Sequence, residues 1–202
     1  MKAARQVAAL PVRRDENGDL QVLLVTSRET RRWVIPKGWP WPDRADHLAA
    51  AEEALEEAGV RGKPRKIAIG SFDYDKRLKD GDRPIHVDIY LLVVTRELDK
   101  WPERRERTRA WFTPEAAADA VGEADLQALL RNATETIAPA FDQAIAAEAD
   151  KKKKSKKAKA AKASKKAGKK SGKKADKADK KDKPPKSKTI ASRSTATETK
   201  LR

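Results

Sequence analysis

The 202-residue chain contains no cysteine, a single methionine and no long apolar run. Without cysteine there is no disulfide framework, no thiolate zinc site and no cysteine nucleophile. Crossing a bilayer takes an apolar run of about 20 residues, which the sequence lacks. The residues after Met1 form no apolar signal segment either. We therefore expect a soluble, cytoplasmic protein with no membrane partner.

The net charge of +16 is distributed very unevenly along the chain. Residues 151–202 contain 23 Lys or Arg and four Asp or Glu, whereas residues 1–150 contain 24 and 27. The basic segment is rich in Lys and Ala and has no aromatic residue. A segment of this composition has too little apolar surface to bury, so burial cannot offset the entropic cost of ordering the chain, about 1–2 kcal/mol per residue. The sequence predicts a folded domain over residues 1–149 and a disordered Lys/Ala-rich tail over residues 150–202.

Two interpretations of this basic tail stay open. Lysines that neutralise phosphates release counterions, so the tail is suited to non-specific binding of nucleic acid or polyphosphate. Alternatively, the tail keeps the protein soluble and has no partner of its own. The lack of aromatic residues excludes base stacking by the tail. Any specific chemistry is therefore expected in residues 1–149.

Within residues 1–149, apolar runs of strand length are separated by turn signals. A hairpin is predicted where Asn17-Gly18 joins two such runs. A helix is predicted from an Asp43 or Asp46 cap to Ala58, ended by Gly59, and another after Thr113-Pro114. Together these patterns predict a single α/β domain. The predicted strands are 7–13, 20–27, 33–35, 66–74, 84–97 and 111–112, and closing helices are expected over 126–145, with a break or restart at Pro139.

The first predicted helix carries an unusual concentration of acidic residues. Glu53, Glu56 and Glu57 fall on one face, opposite an apolar face formed by Leu48, Ala51, Leu55 and Ala58. Like charges at this spacing cost about 0.2–0.5 kcal/mol per pair, and the negative end of the helix dipole adds to the cost. Such a face is either simply solvated or a site for Mg²⁺ or Mn²⁺, which prefer carboxylate oxygens.

The spacing around these glutamates closely resembles the signature of the Nudix hydrolases, G-x5-E-x7-R-E-U-x-E-E-x-G-U, in which U is a bulky apolar residue. Residues 38–60 match its glycines, its three glutamates and its final apolar residue in register. The resemblance implies a Nudix-type α/β/α sandwich with a mixed sheet. Three positions depart from the pattern, namely Arg44 in place of Glu, Glu52 in place of Arg, and Ala54 in place of a larger apolar residue.

The departures at Arg44 and Glu52 are opposite in sign. One hypothesis is a supporting salt bridge whose charges have been exchanged, which leaves the metal ligands unaffected. The alternative is a loop with a different shape and weakened or lost activity.

The resemblance also implies a mechanism, in which water attacks phosphorus in a diphosphate linkage with the help of one to three divalent ions, Mg²⁺ or Mn²⁺. By position, Glu53, Glu56 and Glu57 would be the catalytic residues and metal ligands. The carbonyl of Gly38 is a further candidate ligand. One glutamate would act as general base, and the resemblance does not say which.

Outside the signature, residues 5–131 resemble the diphosphoinositol and diadenosine polyphosphate phosphohydrolase branch. The matching segments are residues 32–38, His86 at the start of a strand, and residues 101–109 before Trp111-Phe112. A densely phosphorylated small-molecule substrate requires several cations. The alternatives are an exposed basic loop at residues 104–109 and a histidine with no ligand. The candidate substrate-binding residues are Arg32, Lys37, His86, Arg107 and Arg109.

The leading hypothesis is therefore a metal-dependent pyrophosphohydrolase that acts on a dinucleoside polyphosphate or an inositol pyrophosphate. One alternative enzyme would remove pyrophosphate from triphosphorylated RNA 5′ ends. The rival from another class is a nucleic-acid-associated binding protein that keeps the fold without turnover. Trp39 and Trp41 either pack the loop before the acidic helix or stack on a base. There is no P-loop and no dinucleotide-binding glycine fingerprint.

Overall fold

The computed structural model of the chain describes residues 4–78 and 81–171. The chain divides into two units with a boundary between Lys152 and Lys153. The strands are β1 (Ala4–Arg14), β2 (Leu20–Thr26), β3 (Trp33–Val34), β4 (Lys37–Gly38), β5 (Val60–Pro64), β6 (Gly70–Leu78), β7 (Gly81–Glu97) and β8 (Arg109–Phe112). The helices are α1 (Asp46–Ala58), α2 (Pro114–Ala120), α3 (Ala124–Arg131) and α4 (Ile137–Ser171).

The strands of the first unit form one mixed sheet with the order β3-β2-β1-β7-β5. In addition, β4 pairs with β1, β6 with β7 and β8 with β2. The central pair, β1 and β7, is parallel, and the other pairs are antiparallel. The mixed sheet expected from the sequence is therefore confirmed. Strands β4 and β5 were not predicted.

Alternation along the strands produces two cores, one on each face of the sheet, because successive strand residues point to opposite faces. Val7 and Ala9 of β1 belong to the core shared with α1. Ala8 and Leu10 belong to the core shared with α2, α3 and the start of α4, where Leu126 is fully buried. The result is the α/β/α sandwich that the resemblance implied.

Helix α1 begins without the side-chain cap that the sequence predicted. Ala45 is the N-cap residue and makes no side-chain cap hydrogen bond, so the predicted Asp43 or Asp46 cap is wrong. Asp46 is the first helical residue, and its carboxylate accepts a hydrogen bond of 2.7 Å from Arg5 Nη2. The same guanidinium pairs with Asp88 of β7, so Arg5 links the start of the helix to the sheet.

The face that α1 buries also differs from the prediction. Leu48 is 45% exposed, whereas Ala49, Ala50, Ala54 and Ala58 are buried against the sheet. An alanine face allows the helix backbone to approach the strands closely. Ala54, which replaces a larger apolar residue of the signature, is one of these contact residues.

The end of α1 follows the sequence prediction. Gly59 adopts a left-handed conformation with φ 64°, and its N–H caps the helix by donating to Leu55 O. The ring of Trp101 lies against this glycine, and a Cβ at Gly59 would come within 2.5 Å of it. Arg109 Nη1 donates to the carbonyls of Ala58 and Gly59 at 2.7 and 3.1 Å. Arg109 thus supplies the cation that helix C-termini favour.

The later helices confirm two further predictions. Thr113 caps α2 by accepting a hydrogen bond from the N–H of Ala116, and Pro114 is the first helical residue. Pro139 lies in the first turn of α4, where a missing N–H costs little. None of the helices in the described ranges is long and apolar enough to span a membrane.

The prediction of disorder over residues 150–202 is not confirmed for residues 150–171, because α4 continues to Ser171. Lys and Ala both have high intrinsic helix propensity, which accounts for a helix without an apolar face. Residues 172–202 of the predicted tail lie outside the described residues.

The two departures in charge from the signature meet in space. Arg44 Nη1 lies 3.2 Å from Glu52 Oε2. The Arg44 guanidinium also stacks over the ring of Trp41, 4.2 Å from the ring centroid. The structure therefore contains the salt bridge that the charge-exchange hypothesis requires, and it joins the loop of residues 39–45 to α1.

We expect Arg44→Glu to destabilise the protein by about 1 kcal/mol, because a carboxylate would face Glu52 and the stacking on Trp41 would be lost. The double change Arg44→Glu with Glu52→Arg should recover part of this loss by restoring the ion pair. Urea denaturation of both variants measures the difference. A double variant no more stable than the single one would refute the charge-exchange hypothesis.

Candidate active site

Glu53 lies directly against Gly38, which precedes the loop of residues 39–45. A Cβ at Gly38 would come within 2.0 Å of Glu53 Oε1, so the carboxylate occupies space that only glycine leaves open. Burial raises the pKa of Glu53 to about 7, and the negative charges of Glu57, Glu56 and Glu103 add to the rise. Three carboxylates are thus close enough to Glu53 to repel its negative charge.

Glu57 is the most buried of the three signature glutamates, with 7% of its surface exposed. The backbone N–H of Lys37 donates to Glu57 Oε2 at 3.2 Å. Glu57 Oε1 forms an ion pair with Nη2 of Arg107. Burial raises the pKa of the Glu57 carboxyl, and the charges of Arg107 and Lys37 oppose that rise.

The guanidinium of Arg107 is fully engaged inside the protein, with 7% of the side chain exposed. Its Nη2 pairs with Glu57, its Nε donates to Glu103, and its Nη1 donates to the carbonyl of Thr26 at 3.0 Å. One side chain therefore joins α1, the end of β2 and the segment of residues 98–108. We call this segment the clamp segment.

Hydrogen bonds to its backbone N–H and C=O groups hold the clamp segment in place. The N–H of Glu103 donates to Glu56 O at 3.1 Å, and the N–H of Thr108 donates to Thr26 Oγ1 at 3.0 Å. Arg31 Nη1 donates to the carbonyl of Glu106 at 2.8 Å. The clamp segment is thereby fixed to the end of the acidic helix, and its Glu103 becomes a fourth carboxylate beside the site.

The half-buried Lys37 interacts electrostatically with Glu57. Burial lowers the pKa of Lys37, and the charges of Glu57 and Glu123 oppose this effect. Its Nζ lies 5.4 Å from the centroid of the Tyr74 ring on β6. Arg32 is near enough to add to the lowering of the Lys37 pKa.

The five predicted substrate-binding residues occupy different surroundings. Lys37 interacts electrostatically with Arg32 and with Glu57, and Arg107 contacts Glu57 directly. Arg109 caps α1 and also pairs with Glu97 at 3.4 Å. His86 lies between two carboxylates, with Nδ1 2.8 Å from Asp73 and Nε2 3.6 Å from Asp88. Substrate binding by these residues stays a prediction, and the guanidiniums of Arg107 and Arg109 are already paired within the protein.

The donor chemistry of the site fits a hard divalent cation. The negative charges of Glu57, Glu56 and Glu103 raise the pKa of Glu53. A bound divalent cation would relieve this repulsion. Among residues 4–78 and 81–171, however, no three His, Asp or Glu side chains form a ready-made coordination shell. Glu57 is instead paired with Arg107, so binding of a cation requires these side chains to adjust.

Two residues of the site were not identified from the sequence. Glu103 contributes a carboxylate to the cluster, and its only sequence signal is its place in the basic stretch before Trp111. The ring centroid of Tyr74 lies 5.4 Å from Lys37 Nζ, and the Tyr74 hydroxyl donates to the buried Gln6 at 2.9 Å. The predicted strand that contains Tyr74 gave no indication that the ring lies near the site.

We expect Arg107→Met to destabilise the protein by about 3 kcal/mol, because the buried Glu57 and the partly buried Glu103 would lose their shared guanidinium partner. Arg105→Met is the matched control, since Arg105 is an exposed residue of the same segment. Urea denaturation compares the two variants. Equal stabilities would show that the Arg107 cluster does not hold the helix in place.

Comparison with known proteins identifies relatives of this fold. The chain is 36% identical over 105 residues to Nudix hydrolase 12, mitochondrial, of Arabidopsis thaliana, covering 50% of this chain and 51% of that protein. It is 35% identical over 106 residues to diphosphoinositol polyphosphate phosphohydrolase 3-beta of Bos taurus, covering 52% and 61%. The chain therefore spans only about half to three fifths of the length of these relatives.

A solved structure shares the fold at low sequence identity. The C. elegans Ap4A hydrolase, in a binary complex, superposes with a TM-score of 0.52 and 19% identity, covering 68% of this chain and 99% of that one. The sequence model of the NUDIX domain matches residues 3–133, which include the whole sheet and helices α1 to α3. The chain belongs to the NUDIX domain family.

Proposed function

We propose that this chain hydrolyses a diphosphate bond in a polyphosphorylated small molecule and requires Mg²⁺ or Mn²⁺ to do so. The observation that carries the proposal is the Glu53 carboxylate against Gly38, with its pKa raised by burial and by the charges of Glu57 and Glu56, in the register of the family signature. Such an arrangement destabilises a metal-free protein. A role in holding a cation accounts for its presence.

Glu53, Glu56, Glu57 and the Gly38 carbonyl would hold the cation. A divalent cation, when bound, polarises phosphoryl oxygens and lowers the pKa of an attacking water. Arg107 and the Lys37 N–H orient the buried carboxylate of Glu57. Repulsion from the neighbouring carboxylates favours the binding of a cation by Glu53, and it also favours the uptake of a proton from water.

Lys37 and Arg32 are the residues that we favour for binding the substrate phosphates. Lys37 is half-buried and interacts electrostatically with Glu57, and a partly desolvated ammonium attracts anionic oxygens strongly. Arg32 is exposed, and it offers the forked donor geometry that suits phosphate. Arg107 and Arg109 contribute by shaping the site, since their guanidiniums contact protein oxygens.

The names of the relatives narrow the substrates to be tested. One relative is named a diphosphoinositol polyphosphate phosphohydrolase, and one similar structure is an Ap4A hydrolase. We propose that this chain acts on an inositol pyrophosphate or a dinucleoside polyphosphate. Triphosphorylated RNA represents the alternative enzyme.

The experiment measures phosphate and pyrophosphate release by the full chain with Mg²⁺ or Mn²⁺. Its substrates are diadenosine polyphosphates, inositol pyrophosphates, nucleoside diphosphate derivatives and triphosphorylated RNA. We expect turnover with a small polyphosphate, loss of turnover with EDTA, and at least a hundredfold loss in Glu57→Gln. A folded chain that is inactive on every substrate would instead favour the non-catalytic binding protein.

We further propose that the Lys-rich segment from residue 151 binds polyanions without sequence preference. Its 23 Lys or Arg against four acids support this, because phosphate neutralisation releases counterions. Binding of the full chain to a single-stranded oligonucleotide and to inorganic polyphosphate should weaken steeply with salt. A chain ending at Lys152 should show little binding and a shallow salt dependence. Equal binding by both chains would refute the proposal.

A further inference from the structure

Strand β5 directs two basic side chains to the face of the sheet opposite α1. Val60 is buried in the core shared with α1, so strand alternation places Arg61 and Lys63 on the other face. Lys63 forms an ion pair there with Glu148 of α4. Arg61 is exposed, and within residues 4–78 and 81–171 its guanidinium has no ion pair and no hydrogen bond. Arg61 is therefore a cation without a counter-charge in this part of the chain.

The residue directly opposite Arg61 is a second exposed arginine. In the antiparallel pairing of β5 with β7, Arg61 is in register with Arg96. The Cβ atoms of such directly opposite residues are about 4.5–5.5 Å apart, and like charges in this arrangement are destabilising. The side chain of Arg96 likewise has no ion pair with any described residue. In contrast, Arg13 and Arg109 share the neighbouring Glu97 as their counter-charge.

A β-bulge beside this arginine pair fixes the two strands to each other. The register shifts between Arg61 and Gly62, so that Gly62 lies opposite Val94 and Thr95 is the extra residue. A Cβ at Gly62 would come within 2.2 Å of Val93 O, so this close approach requires glycine. Thr95 Oγ1 also donates to the carbonyl of Arg61 at 3.3 Å. The backbone therefore holds the two arginines beside each other, and bulges commonly redirect side chains next to functional sites.

Helix α4 supplies a counter-charge to Lys63 but, in its described residues, none to the arginine pair. The contacts of the helix advance along β5, from Arg65 near the start of the helix to Lys63 at Glu148. The next turn carries Lys151, whose Nζ lies 3.8 Å from Glu148 and whose side chain is 77% exposed. Asp150 lies two residues from Glu148, so it does not share the helix face of Glu148. The helix thus adds a further positive charge on this side.

We propose that Arg61 and Arg96 form a binding site for a dianionic phosphate group. Guanidinium groups present forked donors that match phosphate oxygens, and two guanidiniums neutralise both charges of the dianion. A bound phosphate would also remove the repulsion between the two arginines. Because a phosphodiester carries a single charge, the site favours inorganic phosphate or a phosphate monoester. The site is independent of the proposed hydrolysis, since Arg61 lies on the face of the sheet opposite α1.

A nuclear magnetic resonance titration of the isotope-labelled full chain tests the site. It reports binding residue by residue, so binding elsewhere, including the Lys-rich segment, does not obscure the result. Inorganic phosphate is added with EDTA at constant ionic strength and mildly alkaline pH, where it is mostly dianionic. We expect saturable shifts of the backbone amide signals of Arg61 and Arg96. Dimethyl phosphate, a monoanionic diester, should bind at these positions about tenfold more weakly.

Three variants assign the binding to the arginine pair. Arg96→Gln should weaken phosphate binding at Arg61 about tenfold, because one of the two guanidiniums is lost. Arg96→Lys should recover part of the affinity, because it keeps the charge without the fork. Arg105→Gln, at an exposed arginine of the clamp segment, is the control and should leave the phosphate affinity unchanged. In urea at low salt without phosphate, Arg96→Gln should be at least as stable as the unaltered chain, because a repulsion is removed.

Shifts that increase linearly with phosphate, or an affinity unaffected by Arg96→Gln, would overturn the site. Equal affinity for dimethyl phosphate would also overturn it, because the pair would then recognise a phosphodiester backbone. Lower stability of Arg96→Gln without phosphate would contradict the repulsion between the two arginines. These outcomes are distinguishable from failure of the proposed function, which is judged by hydrolysis and by Glu57→Gln.

Discussion

The guanidinium of Arg107 lies between the carboxylates of Glu57 and Glu103 while also donating to the carbonyl of Thr26. Of the three signature glutamates of α1, Glu57 is buried, Glu53 is half-buried and Glu56 is exposed. A buried carboxylate without a counter-charge is strongly destabilising. Arg107 removes this penalty, and the position of the helix on the sheet depends on it.

Several other contacts stabilise the cluster of Arg107, Glu57 and Glu103. The helix ends at Gly59, and the ring of Trp101 packs against this glycine. Arg109 donates a hydrogen bond to the carbonyl of Ala58 at the helix end. The clamp segment can then bond to Glu56 O and deliver both Arg107 and Glu103. At the other end, Arg5 ties the first residue of α1 to β7. The acidic helix is therefore fixed at both ends by cations from elsewhere in the chain.

Much of the helix and its ends could be predicted from the sequence, because the signals are local. The signature spacing, the stop at Gly59 and the cap at Thr113 each depend on a few neighbouring residues. The buried face of α1 could not be predicted in this way. The sequence predicted that Leu48 and Leu55 would face the core. The sheet instead lies so close to the helix that alanines and Glu57 are buried against it.

The remaining differences have long-range causes. Strand β4 is two residues long and exists only because it pairs with β1, and β5 depends on β7. The basic charge of residues 104–109 suggested phosphate binding, yet Arg107 and Arg109 contact oxygens of the protein itself. Charge alone does not distinguish a cation for the substrate from a cation for a buried carboxylate. The distinction needs the three-dimensional position of Glu57.

Direct titration with Mn²⁺ shows whether Glu53 and its neighbouring carboxylates hold a divalent cation. Electron paramagnetic resonance of free Mn²⁺ measures binding to the full chain, to Glu53→Gln and to Glu115→Gln, an exposed glutamate of α2 that serves as control. We expect Mn²⁺ to bind the unaltered chain and the control, and to bind Glu53→Gln clearly more weakly. Absence of binding, or equal binding by all three proteins, would contradict this expectation.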